Sequence, residues 1–307
     1  MRNQGGKGMY YYHLYGCLLE ADFEFPQLVP VEQPQESPDI VFVSGEMPDE
    51  LLKKEKLNIF YEFGDSLSWL SNKTCFLVIE NGKRISYYLK PGGNVNYLRS
   101  YLLGFGTSML FLQRGEMAIH CSALHNGKEA ILITGESGAG KSTLTNFLLQ
   151  EGWKLMADDM AVLKNKDTKD VLVYPAFPYQ KLCRDAVIEK GYNISELIYI
   201  NEMKDKFLVP YSQEFDLGPK PLAKMIMLAV GNTEKIVVEE VNGINKFGLC
   251  VNNLFLRKLL RERRYEPKIG QKCLEIAANT EMLFVGRPAV GNTVEQIKKH
   301  VYEFVTK

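Results

Sequence analysis

The sequence has no excess of charge of either sign. Its 37 lysine and arginine residues balance 37 aspartate and glutamate residues, so the formal net charge at pH 7 is zero. Proteins that bind nucleic acids or anionic membranes mainly through bulk charge carry a basic excess. The composition therefore predicts neither a nucleic-acid partner nor a membrane partner.

The sequence also lacks a long hydrophobic run and a paired-cysteine motif. The most apolar stretch, Tyr97 to Gln113, contains two glycines and is shorter than a membrane span, so it predicts a buried helix. Met1 to Gly8 has no apolar segment behind its charges, which is not the pattern of a signal peptide. The six cysteines are scattered without a C-x-x-C pair, a pattern that predicts reduced thiols in a cytoplasm.

The N-terminal third is rich in predicted strands. Short aromatic and β-branched runs, the first of them Tyr10 to Leu19, continue to about Asn94, and Asn81-Gly82 is a clear hairpin signal. We predict a β-rich region over residues 1–105. Two roles stay open for it, a scaffold and a docking surface for an extended peptide.

The most informative stretch is Gly135 to Ser142, GESGAGKS, which fits the phosphate-binding pattern G-x-x-x-x-G-K-[ST]. Its glycines let the backbone wrap tightly with N–H groups turned inward. Lys141 would place a positive charge on the β- and γ-phosphates, and the Ser142 hydroxyl can bind Mg²⁺. An apolar run before the loop and helical spacing after it predict a strand and a helix. The predicted nucleotide-binding residues of the loop are Gly135, Glu136, Ser137, Gly138, Ala139, Gly140, Lys141, Ser142 and Thr143.

Two neighbouring features distinguish this loop from a plain parallel nucleotide-binding sheet. Ala118 to His125 alternates as one strand, and the following Asn-Gly pair predicts an antiparallel hairpin into the loop strand. The next predicted strand, Trp153 to Ala157, ends in Asp158-Asp159. One of these carboxylates would bind Mg²⁺, and the other could accept a proton from an attacking hydroxyl.

His120, the glycine-rich loop and Ala157-Asp158-Asp159 together resemble the catalytic core of the HPr kinase/phosphorylase family. That family consists of bacterial serine kinases related in fold to phosphoenolpyruvate carboxykinase. The resemblance implies ATP and Mg²⁺ as cofactors and a serine of a protein or peptide as acceptor. It also allows a homo-oligomer.

The resemblance implies a role for individual residues. Lys141 would hold phosphates, and Ser142 and Asp159 would hold the metal. Asp158 would be the catalytic base, and His120 would orient or tune the phosphate and the base. Lys206 matches a position where related kinases carry a basic residue near the γ-phosphate.

The chain also differs from the HPr-specific enzymes. Those carry an Arg-Gly pair downstream, and none follows Asp159 here. The segment from Tyr174 to Asp185 is instead similar to a broader HPr-kinase-related group, some members of which phosphorylate a precursor peptide. The difference argues against HPr itself as acceptor and against phosphorylase activity.

These observations predict an α/β fold whose phosphate-binding core has a mixed, largely antiparallel sheet. We assign residues 106–307 to this ATP-binding kinase core. The last helix is predicted to open with a capping box, Thr293 to Gln296, and Arg287 before it could contact phosphate. The predicted activity is transfer of the γ-phosphoryl group of ATP to a hydroxyl, most simply a serine of a small protein or peptide. A metabolite kinase or carboxykinase-like enzyme, and a nucleotide-binding protein without transfer, stay open as alternatives.

Overall fold

The computed structural model describes residues 8–165, 170–200, 205–257 and 267–307. The chain forms two compact units. The first unit comprises the residues up to Gly115 together with Lys181–Pro210, and the second comprises Glu116–Gln180 with Tyr211–Lys307.

The first unit contains an eight-stranded sheet. Its strands are β1 (Tyr10–Leu14), β2 (Cys17–Ala21), β3 (Val29–Pro30), β4 (Ile40–Ser44), β5 (Tyr61–Glu62), β6 (Leu67–Ser71), β7 (Cys75–Glu80) and β8 (Arg84–Leu89). They lie in the order β3-β1-β2-β4-β8-β7-β6-β5, with β4 parallel to both of its neighbours. The β-rich prediction for this region is therefore confirmed.

One predicted strand of this sheet was wrong. Tyr10 to Leu19 is a hairpin of β1 and β2, because the chain reverses at Tyr15 and Gly16. Both residues have positive φ, 51° and 68°, which is the conformation of a tight hairpin turn. A tyrosine is uncommon at positive φ, so the pair Tyr15-Gly16 is a weaker turn signal than an Asn-Gly pair.

Helices also belong to the first unit. They are α1 (Asp49–Lys56), α2 (Val95–Tyr101), a π-type turn (Leu102–Gly106), α3 (Thr107–Gln113) and α5 (Arg184–Glu189). A 3-10 turn (Ile194–Glu196) and a small sheet of β15 (Tyr179–Cys183), β17 (Lys206–Pro210) and β16 (Ile198–Ile200), in that order, accompany α5.

The boundary between the units differs from the predicted division at residues 105 and 106. The helical stretch from α2 to α3 packs on the first sheet: a Cβ at Gly106 would lie 3.2 Å from Ile85 and 3.3 Å from Leu77. The Gln113 side chain donates to the Ile79 carbonyl at 3.2 Å. The first unit therefore continues to Gly115.

The second unit is built on a nine-stranded mixed sheet. Its strands are β9 (Met117–Ile119), β10 (Cys121–His125), β11 (Ala130–Gly135), β12 (Lys154–Ala157), β13 (Ala161–Lys164), β14 (Leu172–Tyr174), β18 (Lys220–Gly231), β19 (Val237–Glu240) and β20 (Glu281–Pro288). The main path is β12-β10-β11-β18-β14-β13-β9, and β20 pairs with both β18 and β19. Among the strands of the described residues of this sheet, only β11, β18 and β20 pair in parallel, so the predicted mixed, largely antiparallel α/β sheet is confirmed.

Helices α4 (Lys141–Gln150) and α8 (Val294–Thr306) cover one face of this sheet, and α6 (Ile244–Asn252) and α7 (Pro267–Asn279) complete the unit. The apolar residues Ile131, Leu148, Ile226 and Val301 share one buried cluster between the sheet and its helices. Each such side chain contributes about 1.5–3 kcal/mol when fully buried. This packing fixes the start of α4 against the end of β11. Among the described residues, none of the helices combines the length and the apolar character that crossing a bilayer requires.

Candidate active site

The predicted site residues of the second unit gather at one edge of its sheet. The parallel strands β11, β18 and β20 all end at that edge. Because β10 is antiparallel to both β11 and β12, β12 also ends there and β10 begins there. The glycine-rich loop follows β11, Asp158 follows β12, and His120 precedes β10. The topology thus brings together segments that are well separated in sequence.

The first glycine of the loop is required by packing. Gly135 has φ of 136°, and a Cβ there would lie 2.2 Å from the Leu228 carbonyl oxygen on β18. Gly138 and Gly140 also have positive φ, 86° and 108°, but an added Cβ would meet no atom of the described residues within 4 Å. Space is therefore open beside these two glycines.

The loop leads directly into α4. Gly140 is its N-cap residue, and among the described residues no side chain caps the helix. The first backbone N–H groups of a helix have no intrahelical acceptor, and the helix dipole is positive at this end. The start of α4, with the half-buried Ser142 and the exposed Thr143, therefore has the chemistry of an anion site.

Lys141 folds back over the loop. Its ammonium group donates to the carbonyl oxygens of Gly135, at 2.6 Å, and of Glu136, at 3.1 Å. A lysine stem is flexible and its ammonium group is a compact point charge. The same side chain can thus exchange these carbonyls for a phosphate oxygen in the loop.

The acidic pair lies in a bend shared by two neighbouring stretches of chain. Ile119 pairs with Ala161 and Ala123 pairs with Ala157, so the three residues 120–122 face the three residues 158–160. The predicted continuous strand from Ala118 to His125 was wrong for this reason: it breaks at His120 into β9 and β10. Asp159 adopts φ of 74°, which aspartate tolerates better than most residues.

Hydrogen bonds fix both carboxylate residues. The Ser122 hydroxyl donates to Asp158 Oδ1 at 2.6 Å, the short distance typical of a hydroxyl bonded to a carboxylate. His120 Nδ1 lies 2.9 Å from the Asp159 carbonyl oxygen and 3.7 Å from its Oδ1. A carbonyl oxygen can only accept, so Nδ1 carries a proton in this arrangement.

The charges of Lys141 and of the acidic pair all affect the pKa of one buried thiol, that of Cys121. Burial raises the pKa of the Cys121 thiol; the charges of Asp158 and Asp159 raise it further, while that of Lys141 lowers it. The lysine and the two carboxylates therefore all affect the pKa of this buried thiol. The predicted catalytic residues of the second unit therefore share one region of the structure.

Three supporting residues were missed in the sequence. Ser122 bonds Asp158, the Asn253 carbonyl accepts the His120 N–H at 2.8 Å, and the Phe255 ring lies 6.0 Å from the imidazole. Ser122 has a weak sequence signal, since it is two positions from His120 in an alternating run. Asn253 and Phe255 are remote in sequence and have none.

Arg287 at the end of β20 contacts the loop from the other side. Its guanidinium donates to the carbonyl oxygens of Gly138, at 2.9 Å, and of Ala139, at 3.3 Å. These bonds tie two loop carbonyls to the end of β20. Arg287 was predicted as a phosphate contact, and in this structure it bonds the loop.

Lys206 belongs to the other unit. It begins β17, which belongs to the first unit, whereas the other predicted site residues all belong to the second. Its role near a γ-phosphate stays a prediction.

The described residues hold no cluster of three or more histidine, cysteine, aspartate or glutamate side chains that could bind a metal ion. Mg²⁺ does not need such a cage, because it commonly binds one or two carboxylates together with substrate phosphates and water. A hydroxyl at the start of α4 and the carboxylate of Asp159 fit that mode of binding.

Comparison with known proteins gives one partial match among curated sequences. A segment of 57 residues is 46% identical to a protein named putative HPr kinase/phosphorylase 2 from Oceanobacillus iheyensis. Over this segment the chain is related to the HPr kinases. The segment covers 19% of this chain and 19% of the relative. No family model matches the chain.

The predicted HPr kinase resemblance is thus confirmed for this part of the chain. Among solved structures, the HPr(Ser) kinase/phosphatase from Coxiella burnetii aligns with 62% of this chain and 96% of its own. The sequence identity of that alignment is 17% and its TM-score is 0.30.

Proposed function

We propose that this protein is an ATP- and Mg²⁺-dependent kinase that transfers the γ-phosphoryl group to a serine hydroxyl of a small protein or peptide. The observation that supports it best is the acidic bend at Asp158 and Asp159, which lies at the same sheet edge as the loop that begins at Gly135. A protein that only binds nucleotides has little use for a second carboxylate there. Phosphoryl transfer uses one carboxylate for the metal and one for the nucleophile.

In the proposed reaction, the attacking serine oxygen bonds to the γ-phosphorus of ATP as the bond from that phosphorus to the β–γ bridging oxygen breaks, and ADP leaves. The N–H groups at the start of α4 bind the phosphate oxygens, and Lys141 moves from the loop carbonyls to the phosphates. Ser142 and Asp159 would hold Mg²⁺, which would supply positive charge beside the phosphates. Asp158 accepts the proton of the attacking hydroxyl, with one of its oxygens oriented by Ser122.

His120 supports the acidic bend in this mechanism. Its protonated Nδ1 bonds the Asp159 carbonyl, and its backbone N–H is held by Asn253. Half-exposed, the imidazole can also reach toward a bound phosphate. Both contacts position Asp159 and the phosphate relative to one another.

We also place the reaction in the cytoplasm. The described residues include all six cysteines, and none of these is in a disulfide. Reduced thiols are typical of cytoplasmic proteins.

The test is transfer from γ-labelled ATP in a lysate of the source organism. Wild-type protein should label one small protein or peptide on serine, and Asp158→Asn should abolish labelling while ATP still binds. Lys141→Ala should weaken ATP binding itself. Asp49→Asn, an exposed carboxylate at the start of α1, is the matched control and should label like wild type.

The outcomes separate the alternatives. Label found only in small molecules would identify a metabolite kinase. ATP binding without transfer to any acceptor would leave a nucleotide-binding protein. Full labelling by Asp158→Asn would show that another group accepts the proton.

A further inference from the structure

A cavity of about 450 Å³ lies in the first unit, between the open end of the β1-β2 hairpin and helix α2. Its lining includes Tyr10 at the start of β1, Asp22, Phe23 and Glu24, which follow β2, and Val95 and Arg99 of α2. All of the lining residues belong to the first unit, whereas the glycine-rich loop and the acidic bend belong to the second. The proposed phosphoryl transfer therefore makes no use of this cavity.

The guanidinium group of Arg99 is held in a fixed position beside the cavity. Its Nε donates to the Glu24 carbonyl oxygen at 2.9 Å, and its Nη1 donates to Asn96 Oδ1 at 2.8 Å. The Phe23 ring packs against it, with 5.6 Å between the ring centroid and the guanidinium carbon. A guanidinium group has five N–H donors, and these bonds use two of them. Among the described residues the other three have no acceptor.

The positive charge of Arg99 has no ion-pair partner in the described part of the chain. The side chain is half-buried, and this burial lowers the pKa of Arg99. Partial burial makes an unpaired charge costly, and an anion bound to the guanidinium group would offset that cost. Arginine suits a planar carboxylate, to which it can donate two parallel N–H bonds.

Two carboxylates also line the cavity, and they differ in what they can still bind. Asp22 Oδ1 accepts from the Tyr87 hydroxyl at 2.5 Å, and Oδ2 accepts from the Ser44 backbone N–H at 2.8 Å and from the Ser44 hydroxyl at 2.6 Å. Both oxygens of Asp22 thus already bind protein groups. Glu24 is exposed, and none of the described residues donates a hydrogen bond to its carboxylate. Glu24 therefore offers a negative charge to a ligand.

A ligand that suits both charges carries an anionic group and a cationic group. A phosphate or a dicarboxylate would pair with Arg99 but would be repelled by Glu24. An amino acid has a planar carboxylate for the first and an ammonium group for the second. Tyr10 and Val95, which are 36% and 41% exposed, offer apolar surface for its side chain. The cavity volume lies within the roughly 300–1,000 Å³ of small-molecule sites.

We propose that the cavity of the first unit binds a zwitterionic amino acid with an apolar side chain. Arg99 binds the carboxylate of this ligand, Glu24 binds its ammonium group, and Tyr10 and Val95 contact its side chain. The proposal does not rest on the proposed kinase activity, because it involves no residue of the second unit.

The test is calorimetric titration of the full chain with L-phenylalanine and with L-leucine. Arg99→Gln should weaken binding at least about tenfold, because hydrogen bonds to a charged group contribute this much. The matched control is Arg84→Gln, since Arg84 is exposed at the start of β8 in the same unit and does not line the cavity. Melting curves show whether each variant folds. Glu24→Gln alters an exposed side chain and provides the same comparison should Arg99→Gln not fold.

Two ligand analogues test the charges separately. L-phenylalanine amide lacks the carboxylate and N-acetyl-L-phenylalanine lacks the ammonium group, so each should bind the wild-type protein at least about tenfold more weakly than L-phenylalanine. Arg99→Gln should bind the amide as the wild type does, because the partner of Arg99 is already absent from that ligand. For the same reason, Glu24→Gln should bind the N-acetyl compound as the wild type does.

Three outcomes would overturn the proposal. The first is that neither L-phenylalanine nor L-leucine binds the wild-type protein. The second is that Arg99→Gln and Arg84→Gln bind these amino acids equally well. The third is that the amide binds as tightly as the free amino acid, which would indicate a site for the N-terminus of a peptide.

Discussion

The two glycines Gly135 and Gly138 belong to one motif but are required for different reasons, and a pair of alanine variants tests this. Gly135→Ala places a Cβ 2.2 Å from the Leu228 carbonyl oxygen at a φ of 136°. The backbone strain costs about 1–3 kcal/mol. Forcing β11 away from β18 costs about 1–3 kcal/mol more. We expect the second unit to lose about 2–6 kcal/mol of unfolding free energy.

Gly138→Ala meets open space and bears only the cost of its left-handed backbone, about 1–2 kcal/mol. Its new methyl group would instead occupy the open space beside the loop that we propose to bind phosphate. We therefore expect a small loss of stability and a large loss of ATP affinity. The pair separates a packing glycine from a binding glycine.

The two tryptophans provide the assay. Trp153 is buried in the second unit and Trp69 in the first, so a Trp69→Phe background makes fluorescence report on the second unit alone. Urea unfolding followed by Trp153 emission gives the free energy of each variant. If Gly135→Ala unfolds no more easily than Gly138→Ala, the close approach of β11 and β18 does not exist as described.

Three further predictions follow from single side chains. Ser122→Ala should reduce the rate of the proposed transfer about tenfold or more, because Asp158 loses its orienting hydrogen bond. ATP affinity should not change, and Ser122→Thr should restore the rate. In the native protein the buried Lys224 ammonium group donates to the Phe304 carbonyl at 2.8 Å. Lys224→Met removes this donor, so the free energy of unfolding should fall by about 1–3 kcal/mol and hydrogen exchange at the end of α8 should become faster. Burial lowers the pKa of His125, and the charge of Lys220 lowers it further, so the unfolded chain binds the proton more readily and stability should fall as pH drops below about 6.5. In His125→Asn, the melting temperature should fall less between about pH 7.5 and 5.5 than it does in wild type.

Secondary structure was predictable from the sequence wherever a short segment determines its own conformation. The apolar run before Gly135, the loop and the helix after it form as predicted, because strand, turn and helix signals all agree there. The same holds for the hairpin at Asn81 and Gly82, both of which have positive φ.

Features that depend on distant segments could not be predicted. The alternating strand is interrupted at His120 because residues 158–160, between β12 and β13, interrupt the partner stretch at the facing position. Pairing across the sheet determines which residues face one another, and the sequence of one strand does not show this. Thr293 was expected to cap α8, but among the described residues its side chain makes no capping bond. Asn292 accepts from the Val294 N–H at 3.3 Å instead. The sequence pattern for a capping residue cannot distinguish the two, because asparagine and threonine are both common capping residues and the two positions are adjacent.

The predicted acidic pair and loop illustrate the same limit for the site. Their residue types and order were evident, but the contacts that hold them, from Ser122, Asn253 and Arg287, come from three other segments. Residue chemistry thus pointed to the proposed reacting groups, and the fold shows which contacts hold them in place.

The two units are not consecutive in sequence, and this affects the order in which they can fold during synthesis. The chain completes most of the first unit by Gly115, enters the second, and returns to the first for Lys181–Pro210 before finishing the second. Helix α2 packs against β16, which is made about a hundred residues later. During synthesis, the first unit therefore cannot finish folding until Lys181–Pro210 has been made, which happens after the glycine-rich loop has been made. A cut after Gly115 would remove Lys181–Pro210 from the first unit, and the remaining piece would contain the whole second unit with that segment of the first unit still inserted in it.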